Sequence, residues 1–116
     1  VDDMMVKLDD MKAALADTFR HETRILLAHN PALIREAARA GVDLMLSGHT
    51  HGGQLRVPLV GALVTNAGSL PRKMARGLHR IDASWLHVTA GLGTSKYAPV
   101  RFFCRPEACL LELVPR

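Results

Sequence analysis

Six histidines are spread over 116 residues, and three of them stand where imidazole chemistry is possible. His29 closes the short apolar run Arg24-Ile25-Leu26-Leu27-Ala28-His29, while His49 and His51 follow a second run in Ser47-Gly48-His49-Thr50-His51-Gly52-Gly53-Gln54. Neutral imidazole is the commonest nitrogen ligand of divalent transition metals, and two histidines two positions apart project to the same side of an extended backbone. The three rings could share one cation or serve two. Gly48, Gly52 and Gly53 would let the backbone turn sharply and pass close to a ligand, where a Cβ would obstruct it. A lone histidine is more often an ordinary core or surface residue, and His21, His79 and His87 lack any comparable context.

For these rings to meet, the two runs that carry them must lie side by side. Asn30-Pro31 supplies a helix cap followed by proline at the first helical position. Leu33, Ile34, Ala37 and Ala38 form an apolar stripe at helical spacing, and Gly41 sits where a left-handed helix end needs glycine. Residues 42–47 form the second apolar run, bounded by Gly48. Residues 24–47 therefore read as a βαβ unit, with two parallel strands joined by a right-handed crossover. That connection brings the loops after both strands to one sheet edge, the edge at which open α/β sheets bind ligands. Residues 48–54 become a metal-binding loop on this reading, with Asn30 and Thr50 among its supports.

The remaining chain frames this unit. Met4, Leu8, Met11, Leu15 and Phe19 recur at three- and four-residue steps and predict an amphipathic helix over residues 1–20, capped by Asp2 or Asp3. Residues 55–114 read as mostly β: residues 55–64 broken by Pro58 and Gly61, a hairpin of 77–81 and 85–89 across Asp82-Ala83-Ser84, an extended piece at 99–103, and a final strand at 109–114. The length suits one domain. With 48% apolar and 22% charged residues, the chain is expected to be globular rather than disordered. Its longest apolar runs fall far short of the ~20 residues needed to cross a bilayer.

The net charge of +4 is a weak argument for an anionic partner, and one Trp, one Tyr and three Phe provide little surface for stacking bases, which disfavours nucleic-acid binding. Cys104 and Cys109 imply no disulfide framework. Arg56, Lys96 and Arg101 could meet an anionic substrate, but each is read as an ordinary surface charge.

His29-Asn30-Pro31, followed by Ser47-Gly48-His49-Thr50-His51-Gly52-Gly53-Gln54, resembles the C-terminal half of calcineurin-like metallophosphoesterases. Gly91-Leu92-Gly93-Thr94-Ser95, Pro99-Val100-Arg101 and Arg105-Pro106-Glu107 resemble the bacterial phosphodiesterase branch, often membrane-associated or exported. The resemblance covers residues 24–114. It implies an α/β fold: the C-terminal half of an α/β/β/α sandwich, made of the amphipathic helix, one βαβ unit and then mainly antiparallel β. It also implies two divalent metal ions, Mn, Fe or Zn, bridged by a carboxylate and a hydroxide. His29 and His49 would serve the second metal and His51 the first, each as neutral imidazole. The activity implied is hydrolysis of phosphomonoesters or phosphodiesters by metal-activated hydroxide.

The family's earlier motifs, Asp-x-His, Gly-Asp and Gly-Asn-His followed by Asp or Glu, do not occur here. Asp43 opens the second strand at its far end and cannot be the bridging carboxylate. The chain, which begins at Val1 with Asp2 and Asp3 and no initiator Met, is therefore expected to be a cut or truncated partial domain, inactive without an N-terminal half that carries the bridging aspartate and the general acid. No catalytic residue is assigned within residues 1–116. Substrate and localisation, cytoplasmic or membrane-associated and exported, depend on that half. Two alternatives stand beside this reading: a mononuclear site of His29, His49 and His51, and a non-catalytic fragment whose exposed sheet seeks a missing half or a second copy.

Overall fold

The computed structural model describes residues 10–68 and 70–115. β1 (Ile25–Leu27) is followed by the capped turn that the sequence predicts: Asn30 Oδ1 accepts from the Ala32 amide at 3.0 Å, Pro31 opens a 3-10 turn, and α2 (Ile34–Arg39) continues it. Gly41, at φ +80°, ends the helix, and β2 (Leu44–Ser47) returns parallel to β1 with Leu26 opposite Met45. The βαβ unit thus forms where local pattern, cap and breaker agree.

The hairpin forms as well. β5 (Gly77–Ile81) and β6 (Ser84–Val88) pair antiparallel across Asp82-Ala83, with Asp82 at φ +52°. Its position differs from a mainly antiparallel second half, because β6 inserts beside β2 and runs parallel to it, giving the order β1-β2-β6-β5. Three parallel strands therefore present their carboxyl ends on one edge. A two-stranded ribbon of β3 (Arg56–Val57) and β4 (Gly61–Ala62) stands apart from that sheet.

Strand alternation sorts the sheet into two faces. Leu26, Met45, Leu86 and Val88 turn towards Ile34 and Ala37 of α2 and form the core; Ile34, Met45 and Leu86 are wholly buried. On the other face, Ile25, Leu44, Trp85 and Arg80 make one row across the strands and Leu27, Leu46, His87 and Leu78 the next. Ile25, Leu27 and Leu78 of that face stand exposed.

Two expectations for the chain ends need correction. The described helix, α1 (Met11–Leu15), is short: Asp10 caps it by accepting from the Ala13 amide at 2.8 Å, and Phe19 lies beyond its end, exposed and stacked on His21. Met4, Leu8, Asp2 and Asp3 lie outside the described residues. Residues 55–114 are less β-rich than their composition suggests, since among the described residues no strand follows β6 and residues 109–114 form none. Leu111, Leu113 and Val114 instead line a cavity with Ile25, Leu44 and Trp85 on the open sheet face. A segment lying across a face cannot use its backbone to extend an edge, whatever its β propensity.

Candidate metal centre

Each histidine reaches the rim from a strand end. His29 follows β1, and its carbonyl accepts from the Gly48 amide at 3.2 Å, which ties the two loops together. The His29 and His49 rings meet edge to face, with centroids 5.0 Å apart and an interplanar angle of 85°. His49 Nε2 lies 3.1 Å from the Asn66 carbonyl. A carbonyl can only accept, so Nε2 carries a proton, and in the neutral tautomer this selects, Nδ1 holds the lone pair. Metal-binding histidines are commonly oriented by such a second hydrogen bond.

His51 belongs to the same neighbourhood. Burial lowers its pKa below the ordinary imidazole value; the Arg101 charge adds to the effect, a backbone hydrogen bond with Gly93 opposes it, and His49 and then His29 reinforce it. The neutral ring is the form that can donate a lone pair to a cation.

The backbone route to this arrangement is not the extended one expected. His49 (φ +64°) and His51 (φ +50°) both adopt left-handed conformations, and residues 51–53 form a tight 3-10 turn. Side-chain alternation along a strand therefore does not explain why the two rings share a rim. The turn is held from several directions. Thr50 Oγ1 donates to the Ala75 carbonyl at 2.6 Å and accepts from the Gly52 amide at 3.3 Å.

The glycines divide in a way composition could not anticipate. A Cβ on Gly52 (φ +67°) would come within 2.8 Å of both Ala90 Cβ and Cys104 Sγ, and one on Gly53 (φ +81°) would collide with Ala62. Gly48 has no such need, since a Cβ there would meet only Thr89 Cγ2 at 3.9 Å. Close packing against the protein's own atoms thus requires glycine at positions 52 and 53 but not at 48.

Arg101 and Gln54 are the residues that sequence reasoning passed over. Arg101 sends its guanidinium to the carbonyls of His51 (3.2 Å), Ala90 (2.7 Å) and Gly91 (3.1 Å), and its Nε and one amine to that of Gly93. It is a clamp on backbone carbonyls rather than an ordinary surface charge. Arg56 behaves similarly, donating to the Gly52 carbonyl at 2.8 Å, while Lys96 rests over the Tyr97 ring. Gln54, almost fully buried, accepts from the Ser95 amide at 2.6 Å and donates to the Ala98 and Val100 carbonyls. The three Gln54 contacts and the Arg101–His51 contact span forty residues or more, so no local pattern marks them.

A cavity of about 340 Å³ opens beside the loop, lined by His51, Gln54, Val64, Asn66, Ser95 and Tyr97 among others. The donor set suits a divalent transition metal in type but is partial. Among the described residues no three His, Cys, Asp or Glu side chains are grouped closely enough to hold one ion, which counts against the single three-histidine cage. Asp43 is occupied at the opposite strand end, where its carboxylate accepts from the Arg24 amide at 2.9 Å.

Comparison with known proteins finds the chain similar to parts of bacterial metallophosphoesterases. It is 44% identical over 91 residues to the phosphodiesterase YaeI of Escherichia coli, a match covering 78% of this chain and 32% of that protein. The Bacillus subtilis metallophosphoesterase YkuE, which is uncharacterized, is 31% identical over 113 residues, 97% of this chain and 38% of the relative. The UDP-2,3-diacylglucosamine pyrophosphatase LpxG of Chlamydia trachomatis is 34% identical over 116 residues, 95% of this chain and 35% of its own length. The chain thus spans about a third of the length of these relatives. No protein-family model and no solved structure matches it.

Proposed function

We propose that this chain, which is similar to the metallophosphoesterases over about a third of their length, supplies the histidine half of a two-metal centre that hydrolyses phosphomonoesters or phosphodiesters. His29 and His49 serve one cation and His51 the other; the carboxylate ligands, the bridging aspartate and the general acid come from protein outside this chain. The observation that carries this reading is the 5.0 Å edge-to-face approach of the His29 and His49 rings at the strand ends, with His51 beside them.

When bound, the divalent cations, Mn, Fe or Zn, would supply Lewis-acid activation of water and neutralise charge developing on the phosphoryl oxygens. The chain's own residues do the positioning. The Asn66 carbonyl selects the His49 tautomer, burial favours the neutral form of His51, and Thr50, Arg56 and Arg101 hold the 3-10 turn that carries His51. Asn30 holds the start of the helix that follows His29. Arg101 is committed to carbonyls, so phosphate recognition falls to other groups.

The open sheet face supports a second part of the reading. Ile25, Leu27 and Leu78 stay exposed although residues 111–114 lie across part of this face, and a further sheet contributed from outside the chain would cover the remainder to complete an α/β/β/α sandwich. The isolated chain is accordingly inactive. Assaying it with bis(p-nitrophenyl) phosphate and added manganese should give no turnover above buffer, and robust hydrolysis would overturn the dependence on a missing half. Elemental analysis supplies an independent check: a single tightly bound zinc lost on replacing any one of the three histidines would refute the two-metal division.

A further inference from the structure

Charge is distributed unevenly along this chain. Between Asp43 and Glu107 the sole acidic residue is Asp82, whereas the same stretch carries eight Lys and Arg residues. Several of these are already engaged: Arg56 and Arg101 with backbone carbonyls, Arg76 with Glu107. Arg72 and Lys73 are exposed, with one Arg72 amine donating to the Leu63 carbonyl at 3.0 Å, and they flank the β3–β4 ribbon.

That ribbon ends in an apolar tip. Leu59 is fully solvated at 109% relative exposure, Val60 is 69% exposed and Phe103 beside them 65%. Leu59 also sits in the left-handed region at φ +68°, which disfavours a residue with a Cβ. An apolar side chain held in an unfavourable conformation at a solvated turn gains nothing from the core. Together, Arg72, Lys73, Leu59, Val60 and Phe103 line one open groove of about 520 Å³.

We propose that the β3–β4 tip is a membrane-surface anchor: Leu59, Val60 and Phe103 enter the interfacial layer of an anionic phospholipid bilayer while Arg72 and Lys73 meet its headgroup phosphates. Apolar side chains bordered by cations, in a zone nearly free of carboxylates, match a surface that is hydrocarbon below and negative above. A nucleic acid would not draw on the aliphatic tip. No described helix is long and apolar enough to cross a membrane, and this mode of attachment requires none. The tip is also coupled to the histidine loop, since Gly53 packs on Ala62 of β4 and Arg56 of β3 holds the Gly52 carbonyl. A bilayer gripped at the tip would lie close to the rim that carries His51.

Co-sedimentation with vesicles tests this directly. The chain should bind phosphatidylcholine vesicles containing phosphatidylglycerol, bind pure phosphatidylcholine markedly less, and be released as salt rises. Leu59→Ser combined with Val60→Ser should weaken binding roughly tenfold or more, and Lys73→Ser about fivefold. Both positions on the tip face solvent, so circular dichroism should report an unchanged fold. Leu27→Ser and Leu78→Ser, on the open sheet face, should leave binding intact. His51→Ala should do likewise, so that loss of the metal reading would not move this result. Equal binding to both vesicle types, or binding abolished by the sheet-face variants but not by the tip variants, would overturn the proposal. Capture of a single-stranded oligonucleotide in place of vesicles, insensitive to the tip variants, would identify a nucleic-acid surface instead.

Discussion

The guanidinium of Arg101 donates to the backbone carbonyl of His51 at 3.2 Å, fifty residues away in sequence. The same fork reaches Ala90, Gly91 and Gly93, so one side chain joins the loop after β2 to the loop after β6. A planar cation with five donors suits this task better than any other side chain, because several carbonyls can be satisfied without bending the backbone towards each separately.

Arg101→Gln should therefore lower stability by about 1.5–3 kcal/mol, the range for hydrogen bonds to a charged group. Urea unfolding measures this. Hydrogen exchange adds a local readout: the Gln54 amide, which donates to the His51 carbonyl at 3.1 Å, should exchange faster in the variant. Arg101→Lys should recover only part of both effects. An unchanged unfolding midpoint in Arg101→Gln would show that the clamp contributes nothing.

Gly52→Ala and Gly48→Ala should part company. The first places a Cβ 2.8 Å from Ala90 Cβ and Cys104 Sγ at a left-handed φ, and should cost about 1–3 kcal/mol. The second meets ordinary contact at 3.9 Å and should change stability little. Comparable losses from the two would contradict the geometry of the turn.

Replacing Glu107 separates an ion pair from a backbone contact. Its carboxylate accepts from the Ala90 amide at 2.9 Å and from Arg76 at 2.6 Å, with the Arg76 side chain 38% exposed. Solvent screening limits that pair to less than about 1 kcal/mol. Glu107→Gln, which keeps an acceptor for Ala90, should cost less than about 1 kcal/mol, whereas Glu107→Ala should cost about 1–2 kcal/mol because it also strands the amide. Thermal unfolding of both variants decides it.

Metal titration by calorimetry addresses the division of the histidines. If His29 and His49 share a cation, either alanine replacement should remove most of the affinity at that site and the double variant should add little more. His51→Ala should act additively with them. Equal coupling among all three pairs would instead point to one shared ion.

Much of the scaffold was legible in the residues themselves. The Asn30-Pro31 cap, the Leu33 to Ala38 stripe, Gly41 and the two apolar runs all lie within one short stretch, and each encodes a local conformation that the others support. The hairpin across Asp82-Ala83 is equally local. Those patterns already place His29 and His49 at neighbouring strand ends, because a right-handed crossover between adjacent parallel strands leaves their carboxyl ends on one edge.

The tertiary structure alone decided the rest. The insertion of β6 beside β2 brings Gly91 and Gly93 to that edge, and the left-handed turn at His49 and His51 replaces the extended loop expected from their spacing. The Arg101 and Gln54 clamps, and residues 109–114 lying across a face instead of pairing as a strand, depend equally on distant partners. Sequence periodicity records which side of an element is apolar, a property of neighbouring residues. Which distant carbonyl an arginine will find, or which edge a hairpin will join, is settled only when loop closure and burial are satisfied together across the whole chain.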